Sequence, residues 1–518
     1  MMRRPRLPFC IVALGAFAAC SEPPSDSFQR KNVGNGSEEE GPPPGGELPD
    51  EQFPAELLEP YTGPPIDEYD NTVLGYVQLR SRVKQVFADT GIGGNTDAYF
   101  ASKISLLGGA DFTTTFSEAR VATPDFLLAL DGIAKDSCAR AASNKTGPFA
   151  GTNPAAVAAG GEAALATQLY SRILVRAPTA GEVKDGVDLV ARLRPMSPDA
   201  TSAWAGLCEA LVRHPDALFT LPPSVASATG ADKERLQTVK LAMDFAGRLP
   251  TDEEFASLAG KTVPEKVDFY VGTPEFRDFY FHRARVRTES VGTPESDEPA
   301  RLWTYLVLSG APMQEVLTAD YSVDPSFAKV PRAAEHGASG VLTMPGFIKT
   351  KPGLPHYNYS ARVMTDYMGQ LFEVTPEIIA GRLSGQVSST VEPGSSCIVC
   401  HGVLTPLEHQ RLAWADNGTF RTVDEKGAPI DDTDRGMVPD YPYKGKGMPG
   451  FATLAVRKEK FFRQTFQAQF LFFVGRQMRY AEDERTTYLA LWKNAWANNG
   501  NMRELMKVIA SQPRYLGN

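Results

Sequence analysis

Three stretches of the chain repeat one local plan, and the plan is helical. The first is "LYSRILVRAPTAGEV", followed later by the exit "LVRHPDALF". The second is "AMDFAGRLPTDEEF", with the exit "VGTPEFRDF". The third is "FFVGRQMRYAEDERT", with the exit "IASQPRYL". Each runs from an apolar helix into a corner of arginine and acidic residues, then into more helix, and leaves on a proline followed by apolar or aromatic residues. The corner chemistry explains the order. Pro178 and Pro250 suit the first turn of the next helix, where a missing N–H costs nothing. Glu182, Glu253 and Glu254 then sit at its positive end. Helical units of this kind bury one face against a neighbour, so repetition predicts a stacked arrangement. Apolar spacing predicts helices over Val77–Phe87, Ala163–Val175, Ala203–Val212, Leu236–Phe245, Phe461–Val474 and Thr487–Trp496, while the period-two alternation of strands is scarce. The expected fold class is mainly α, built from several helical modules.

With 518 residues, 42% of them hydrophobic and 22% charged, the chain can bury a sizeable core across several domains. The net charge of −9 gives no basic footprint, and no nucleic-acid partner is expected. Clusters of Gly, Ser and Pro near 230 and 381–396 divide the body into expected blocks 61–229, 230–381 and 382–518.

The N-terminus has a different character. "MMRRPRLPFCIVALGAFAAC" places Arg3, Arg4 and Arg6 before a short apolar run, which is the layout of an export signal and too short to span a bilayer. Its end, "FAAC", is similar to a bacterial lipoprotein cleavage box, with Phe17 where leucine is usual. Residues 1–19 are therefore expected to be a lipoprotein signal peptide and Cys20 the lipidated residue, with an ordinary signal peptide cut after "AFA" as the alternative. Residues 20–60 are rich in Pro, Gly, Ser and Glu and poor in large apolar side chains. They are expected to be a disordered tether between lipid and body. Ser21 in place of aspartate points to the outer membrane, with the body facing the periplasm or the cell surface.

Of the six cysteines, two lie in "GSSCIVCHGVLTPLEHQ". Cys397-x-x-Cys400-His401 is the spacing of c-type haem attachment: each thiol adds to one vinyl group, and the adjacent histidine becomes the proximal iron ligand. A dithiol redox pair uses the same C-x-x-C but follows a strand in an α/β unit, and nothing here has that pattern. A structural zinc site needs about four ligands, and only His409 lies near enough to add one; a plain disulfide is the remaining alternative. The export signal and the haem motif agree on compartment. One covalent haem c is the expected cofactor, in a cytochrome c-like haem domain over 382–518.

A six-coordinate iron needs a distal ligand. Downstream, "YPYKGKGMPGFATL" holds Met448 in a Gly/Pro-rich stretch just before a helix, similar to the distal loop of class I c-type cytochromes, and Met448 is the expected ligand. Met437 in "DRGMVPD" is the nearer rival. Met344, in "TMPGF", precedes the haem motif, and His409 comes after His401 too closely to reach the opposite haem face. His214, His282, His336 and His356 read as ordinary surface or satisfied core histidines, with His356 kept as an outside candidate. Arg411, Trp414, Tyr441, Tyr443 and Lys444 could serve haem propionates, although each is more often a solvated side chain. Cys138 and Cys208 remain as a possible disulfide pair.

Together, "GVLTMPGFIKT", "CIVCHGVLTPLEHQRLAWADNGTFRTVDEKGAPID" and the C-terminal "FFRQTFQAQFLFFVGRQMRYAEDERTTYLALWKNAWANNGNMRELMKVIASQPRYL" resemble the planctomycete-type cytochromes, large exported proteins in which uncharacterised helical domains surround a C-x-x-C-H segment. In that family the haem motif is succeeded by an Asp-Pro step and a "G-x-[YF]-R…G-x-P-[IV]-D" stretch. "NGTFRTVDEKGAPID" matches the stretch, Thr405 replaces the aspartate before Pro406, and the glycine after that proline is missing. "LAMDFAGRLPTDEEF" also resembles the family's helical modules, so the likeness spans roughly 160–518 and leaves 61–160 without a counterpart. The resemblance implies a haem protein and electron transfer, and it carries over no substrate and no axial ligand.

The expected protein is thus a membrane-anchored, c-type cytochrome-like lipoprotein that passes electrons to a redox partner of unknown identity. Two alternatives stay open. One is a haem-dependent oxidoreductase of peroxidase type, for which no distal His-Arg pair is visible. The other is a non-catalytic scaffold whose haem is structural.

Overall fold

The computed structural model describes residues 54–63, 72–87, 95–112, 115, 117–157, 160–349, 357–372, 404, 407–408, 411–424, 427–430 and 447–517. The protein is mainly α: 63% helical and 4% strand, with 19 helices among the described residues. The helices Tyr76–Phe87, Glu162–Leu174, Ala200–Val212, Gly230–Phe245, Glu459–Val474 and Arg485–Ala497 cover the six segments expected from apolar spacing except Val175, which closes the second helix in a left-handed conformation. The described sheet is one antiparallel ribbon, Tyr321–Val323 against Lys329–Pro331, with Ser322 opposite Val330.

Spatial contacts group the described chain into two compact units. The first takes in 294–302 and 313–465, and the second 54–293, 303–312 and 466–517. These groupings join segments that are distant in sequence, whereas the blocks expected from Gly/Ser/Pro clusters are contiguous. Composition marks where the chain turns, and contacts mark what it packs against.

In the second unit the three repeats become three corners of one geometry. Arg176 grips Glu182 through Nη1 and Nη2 at 3.0 and 2.5 Å. Arg248 grips Glu254 at 2.8 and 2.6 Å. Arg476 grips Glu484 at 2.8 and 2.7 Å. In every corner the arginine Nη1 also donates to the carbonyl of the next residue, Ala177, Leu249 or Gln477. In every corner the same glutamate accepts a backbone N–H, from Thr179, Thr251 or Arg479. The first two glutamates complete capping boxes with Thr179 and Thr251. The arginine and glutamate are six residues apart in the first two corners and eight apart in the third, which therefore carries a two-residue insertion.

Each corner leads through further helix to its proline exit. The sequence from the first corner is Ala180–Leu193, Ala200–Val212 and Pro215–Leu218; from the second, Asp252–Leu258, Val263–Val271 and Pro274–Thr288; from the third, Arg485–Ala497, Met502–Ala510 and the short turn Pro513–Leu516. Val263–Val271 packs on Met502–Ala510, and Phe245 stacks on Phe473 at 4.5 Å. Helices Pro124–Asn144 and Ala200–Val212 pack side by side and are joined by a disulfide between Cys138 and Cys208, whose Cα atoms are 5.8 Å apart. The polar centre is Asp244, which accepts from Lys240 Nζ at 2.6 Å, Tyr515 Oη at 2.7 Å and Gln78 Nε2 at 3.3 Å. All four side chains are buried, so the carboxylate and ammonium compensate each other inside the core.

Candidate functional site

The first unit brings the described part of the site together around a short helix, Gly447–Ala455. Gly447 opens it with φ +62°, a left-handed conformation that glycine adopts without strain. The next residue, Met448, is 1% exposed. Its Sδ lies 3.8 Å from Tyr359 Oη, but that hydroxyl is also 2.6 Å from the Leu342 carbonyl oxygen. A phenol has one proton, and the nearer carbonyl is the stronger acceptor, so the hydrogen goes to Leu342. The thioether is buried against this hydroxyl, whose proton the carbonyl competes for. Tyr359 comes from the helix Tyr357–Met368, and burial raises its phenol well above the ordinary range.

Arg411 lies over the ring of Tyr359, its guanidinium 5.2 Å from the centroid. Of the readings open to them, that of solvated side chains does not hold: Arg411 is 0% exposed and Trp414 is buried. The reason is local. From Ala413 to Arg421 the chain forms a tight reversal in which Ala415 N–H donates to Thr419 and Arg421 N–H to Ala413, at 2.9 and 2.8 Å. Gly418 at its tip has φ +78° and lies so close to Pro345 that an added Cβ would come within 2.6 Å of it. A second reversal comes next, with Asp424 N–H donating to Ala428 at 2.8 Å. The first of these turns thus lies with its tip against Pro345 of the "TMPGF" segment, and Arg411 and Trp414 on its entering side are buried.

Arg411 Nη2 donates to Asp416 Oδ1 at 2.7 Å, while its buried Nε and Nη1 meet no partner among the described residues. Burial pushes the guanidinium below its ordinary range, and Asp416 opposes the shift. Nearby in sequence, burial raises the Glu408 carboxyl to about 7.

Trp414 stacks on His336 with centroids 4.5 Å apart. His336 Nδ1 lies 3.2 Å from Thr343 Oγ1. Burial, and then the Arg332 charge, lower its imidazole to about 4. The adjoining Gly337 abuts Pro449, the residue after Met448: an added Cβ would come within 2.8 Å of it. His336 therefore borders the site, a position that sequence reasoning missed because no local pattern links it to Trp414 or Pro449. Tyr359 was missed for the same reason.

Other expected residues fall elsewhere. His214 Nδ1 accepts the Asp216 N–H and caps Pro215–Leu218, and His282 Nε2 meets Glu118 Oε1 at 2.9 Å, so both have structural work in the second unit. Met344 is fully buried at the start of Pro345–Lys349. Cys20, His356, Cys397, Cys400, His401, His409, Met437, Tyr441, Tyr443 and Lys444 lie outside the described residues.

Comparison with protein-family models, curated proteins and solved structures gives no significant match.

Proposed function

We propose that the chain is an exported c-type cytochrome-like protein that carries one covalent haem, passes electrons, and is held at the outer membrane by a lipid on Cys20. The observation that carries this reading is the coincidence of Cys397-x-x-Cys400-His401 with two features downstream of it: the buried thioether of Met448 and the buried guanidinium of Arg411, two of whose donors meet no partner among the described residues. The donor set fits the group. Cys397 and Cys400 would add their S–H bonds across the two vinyls, His401 would be the proximal ligand and Met448 the distal one. A haem bound there supplies a one-electron iron couple. Met448 would keep the distal side closed and favour the reduced state, since a soft thioether stabilises ferrous iron. Tyr359 fixes the thioether's surroundings through its bond to Leu342. A closed distal side supports electron transfer over the peroxidase-type alternative, which needs an open position.

The test is expression with an intact haem-maturation system, and then denaturing electrophoresis stained for haem. The wild type should show a stained band, and Cys397→Ala plus Cys400→Ala should show none. Met448→Ala should abolish the weak charge-transfer band of thioether-ligated ferric haem in the red and lower the reduction potential, whereas Met437→Ala should leave both. A wild type without stain would sink the proposal. The opposite pattern in the two methionine variants would move the ligand to Met437.

A further inference from the structure

We propose that Arg283, in the second unit, is the receptor for a small oxyanion, a phosphate or a carboxylate, at a site that does not depend on the haem reading. The side chain is 5% exposed, and its Nε, Nη1 and Nη2 are all buried with no hydrogen-bond partner. Among the described residues no other guanidinium is left wholly unmet in this way. Buried cations of the same unit are served: Arg82 Nη2 donates to the Ile173 carbonyl at 2.9 Å, Lys240 Nζ to Asp244 at 2.6 Å and Lys266 Nζ to Glu234 at 2.9 Å. A buried charge without a counter-charge costs more stability than a neutral polar group does. Water can satisfy single donors, but it leaves the charge itself uncompensated.

The surroundings of Arg283 say what would compensate it. The residue lies on the buried face of Pro274–Thr288, one turn after Phe279. The Phe279 ring stands 4.9 Å from the guanidinium carbon and closes one face of the group. That ring is itself confined by Gly247, where an added Cβ would come within 2.8 Å of it. With a face covered, the N–H edge remains, and that edge matches the paired oxygens of a carboxylate or phosphate. The carboxylate beside this stretch of helix is already engaged: Glu118 Oε1 meets Nε2 of His282, the preceding residue, at 2.9 Å. A helix C-terminus favours cations, which accounts for Arg285 and Arg287 in the last turn. It does not account for Arg283, whose nitrogens reach none of the terminal carbonyls.

The experiment compares the full chain with its Arg283→Met and Arg283→Lys variants. Inorganic phosphate and acetate are the probes, each added to a chloride buffer at constant ionic strength. Binding is read by equilibrium dialysis with labelled probe, and in parallel by the thermal midpoint. The wild type should bind one equivalent of at least one probe, and its midpoint should rise with the concentration of that probe. Binding of phosphate without acetate, or the reverse, supports the site and fixes the class of its ligand. Arg283→Met keeps the apolar stem and removes the charge. It should bind neither probe, and without probe its midpoint should equal or exceed that of the wild type. Arg283→Lys keeps the charge and loses the fork, so its affinity should fall about tenfold. Phosphate also stabilises folded proteins generally, by exclusion from their surface. An equal rise in wild type and Arg283→Met would be that general effect and would overturn the site. So would a wild type that binds neither probe in dialysis, a result that stands whether or not the variants fold.

Discussion

Burial and the Arg332 charge hold the His336 imidazole near 4, against 6.5 for the free side chain, so the folded protein keeps it neutral where the unfolded chain would protonate it. Between pH 6.5 and 4 the unfolded state binds the extra proton, so His336 supports the fold fully above about 6.5 and progressively less as pH falls toward 4. Glu335, which pulls the other way, and Thr343, which bonds Nδ1, are the further groups that act on it. His336→Phe keeps a ring against Trp414 and removes the titration. Its thermal midpoint should fall less than that of the wild type between pH 6.5 and 4, and two parallel profiles would show that the imidazole is not the source of acid sensitivity. At this scale the sequence was a partial guide. The Gly/Pro-rich setting of Met448 was readable, because glycine and proline act on their own backbone. The burial of Arg411 was not, because it goes with a tight turn whose tip, Gly418, lies against Pro345 from a distant part of the chain. The stacking of His336 on Trp414 was not readable either, since it joins elements separated by a long run of chain.

Corners built from neighbours in sequence were legible as elements, down to the arginine and acidic residues that the structure joins, but Pro178 and Pro250 lie just before the caps Thr179 and Thr251 and not in the first turn of the next helix, because the threonine side chains take the capping role. The corners also differ in an informative way. The residue after the exit proline is Asp216 in the first and Glu275 in the second, and these approach the corner arginine Nε at 2.7 and 3.5 Å. In the third corner that place is taken by Arg514, which pairs instead with Asp483. The carboxylate at that position in the first two corners is a cation in the third. Arg514→Asp should therefore destabilise the protein by up to about 1 kcal/mol at neutral pH, because a carboxylate would then face Asp483. Adding Asp483→Gly, the residue type at the matching Gly181, should restore most of the loss. A double variant no better than the single one in urea unfolding would show that the changed charge is incidental. The disulfide is a second element-scale lever. Cys138 and Cys208 are separated by 70 residues. Closing a loop of that size restricts the unfolded chain, so Cys138→Ala plus Cys208→Ala should cost about 3–4 kcal/mol. An unchanged denaturation midpoint under oxidising conditions would mean that the bond does not form.

The whole molecule was the least legible scale. Mainly helical character could be read from apolar spacing, but the centre of the second unit could not. Asp244 takes its partners Gln78 and Tyr515 from positions 166 and 271 residues away, and no local pattern announces such a junction. Membrane attachment is also a property of the entire chain. No helix among the described residues is long and apolar enough to cross a membrane. The proposed attachment rests on Cys20 and on acyl chains whose hold grows by about 0.8 kcal/mol for each buried methylene. Because one chain binds only marginally and stable anchoring needs at least two, losing the modified cysteine should be decisive and not gradual. In cells fed labelled fatty acid, the wild type should carry label and sediment with outer membranes. Cys20→Ser should carry none and move to the soluble fraction, while its haem stain stays at the wild-type level, because attachment of haem depends on Cys397 and Cys400 and not on the anchor. An unlabelled wild type that still sediments with membranes would overturn lipidation and leave the haem proposal standing. Loss of both label and haem stain in Cys20→Ser would instead show that the anchor is needed for the chain to reach the haem-attachment machinery.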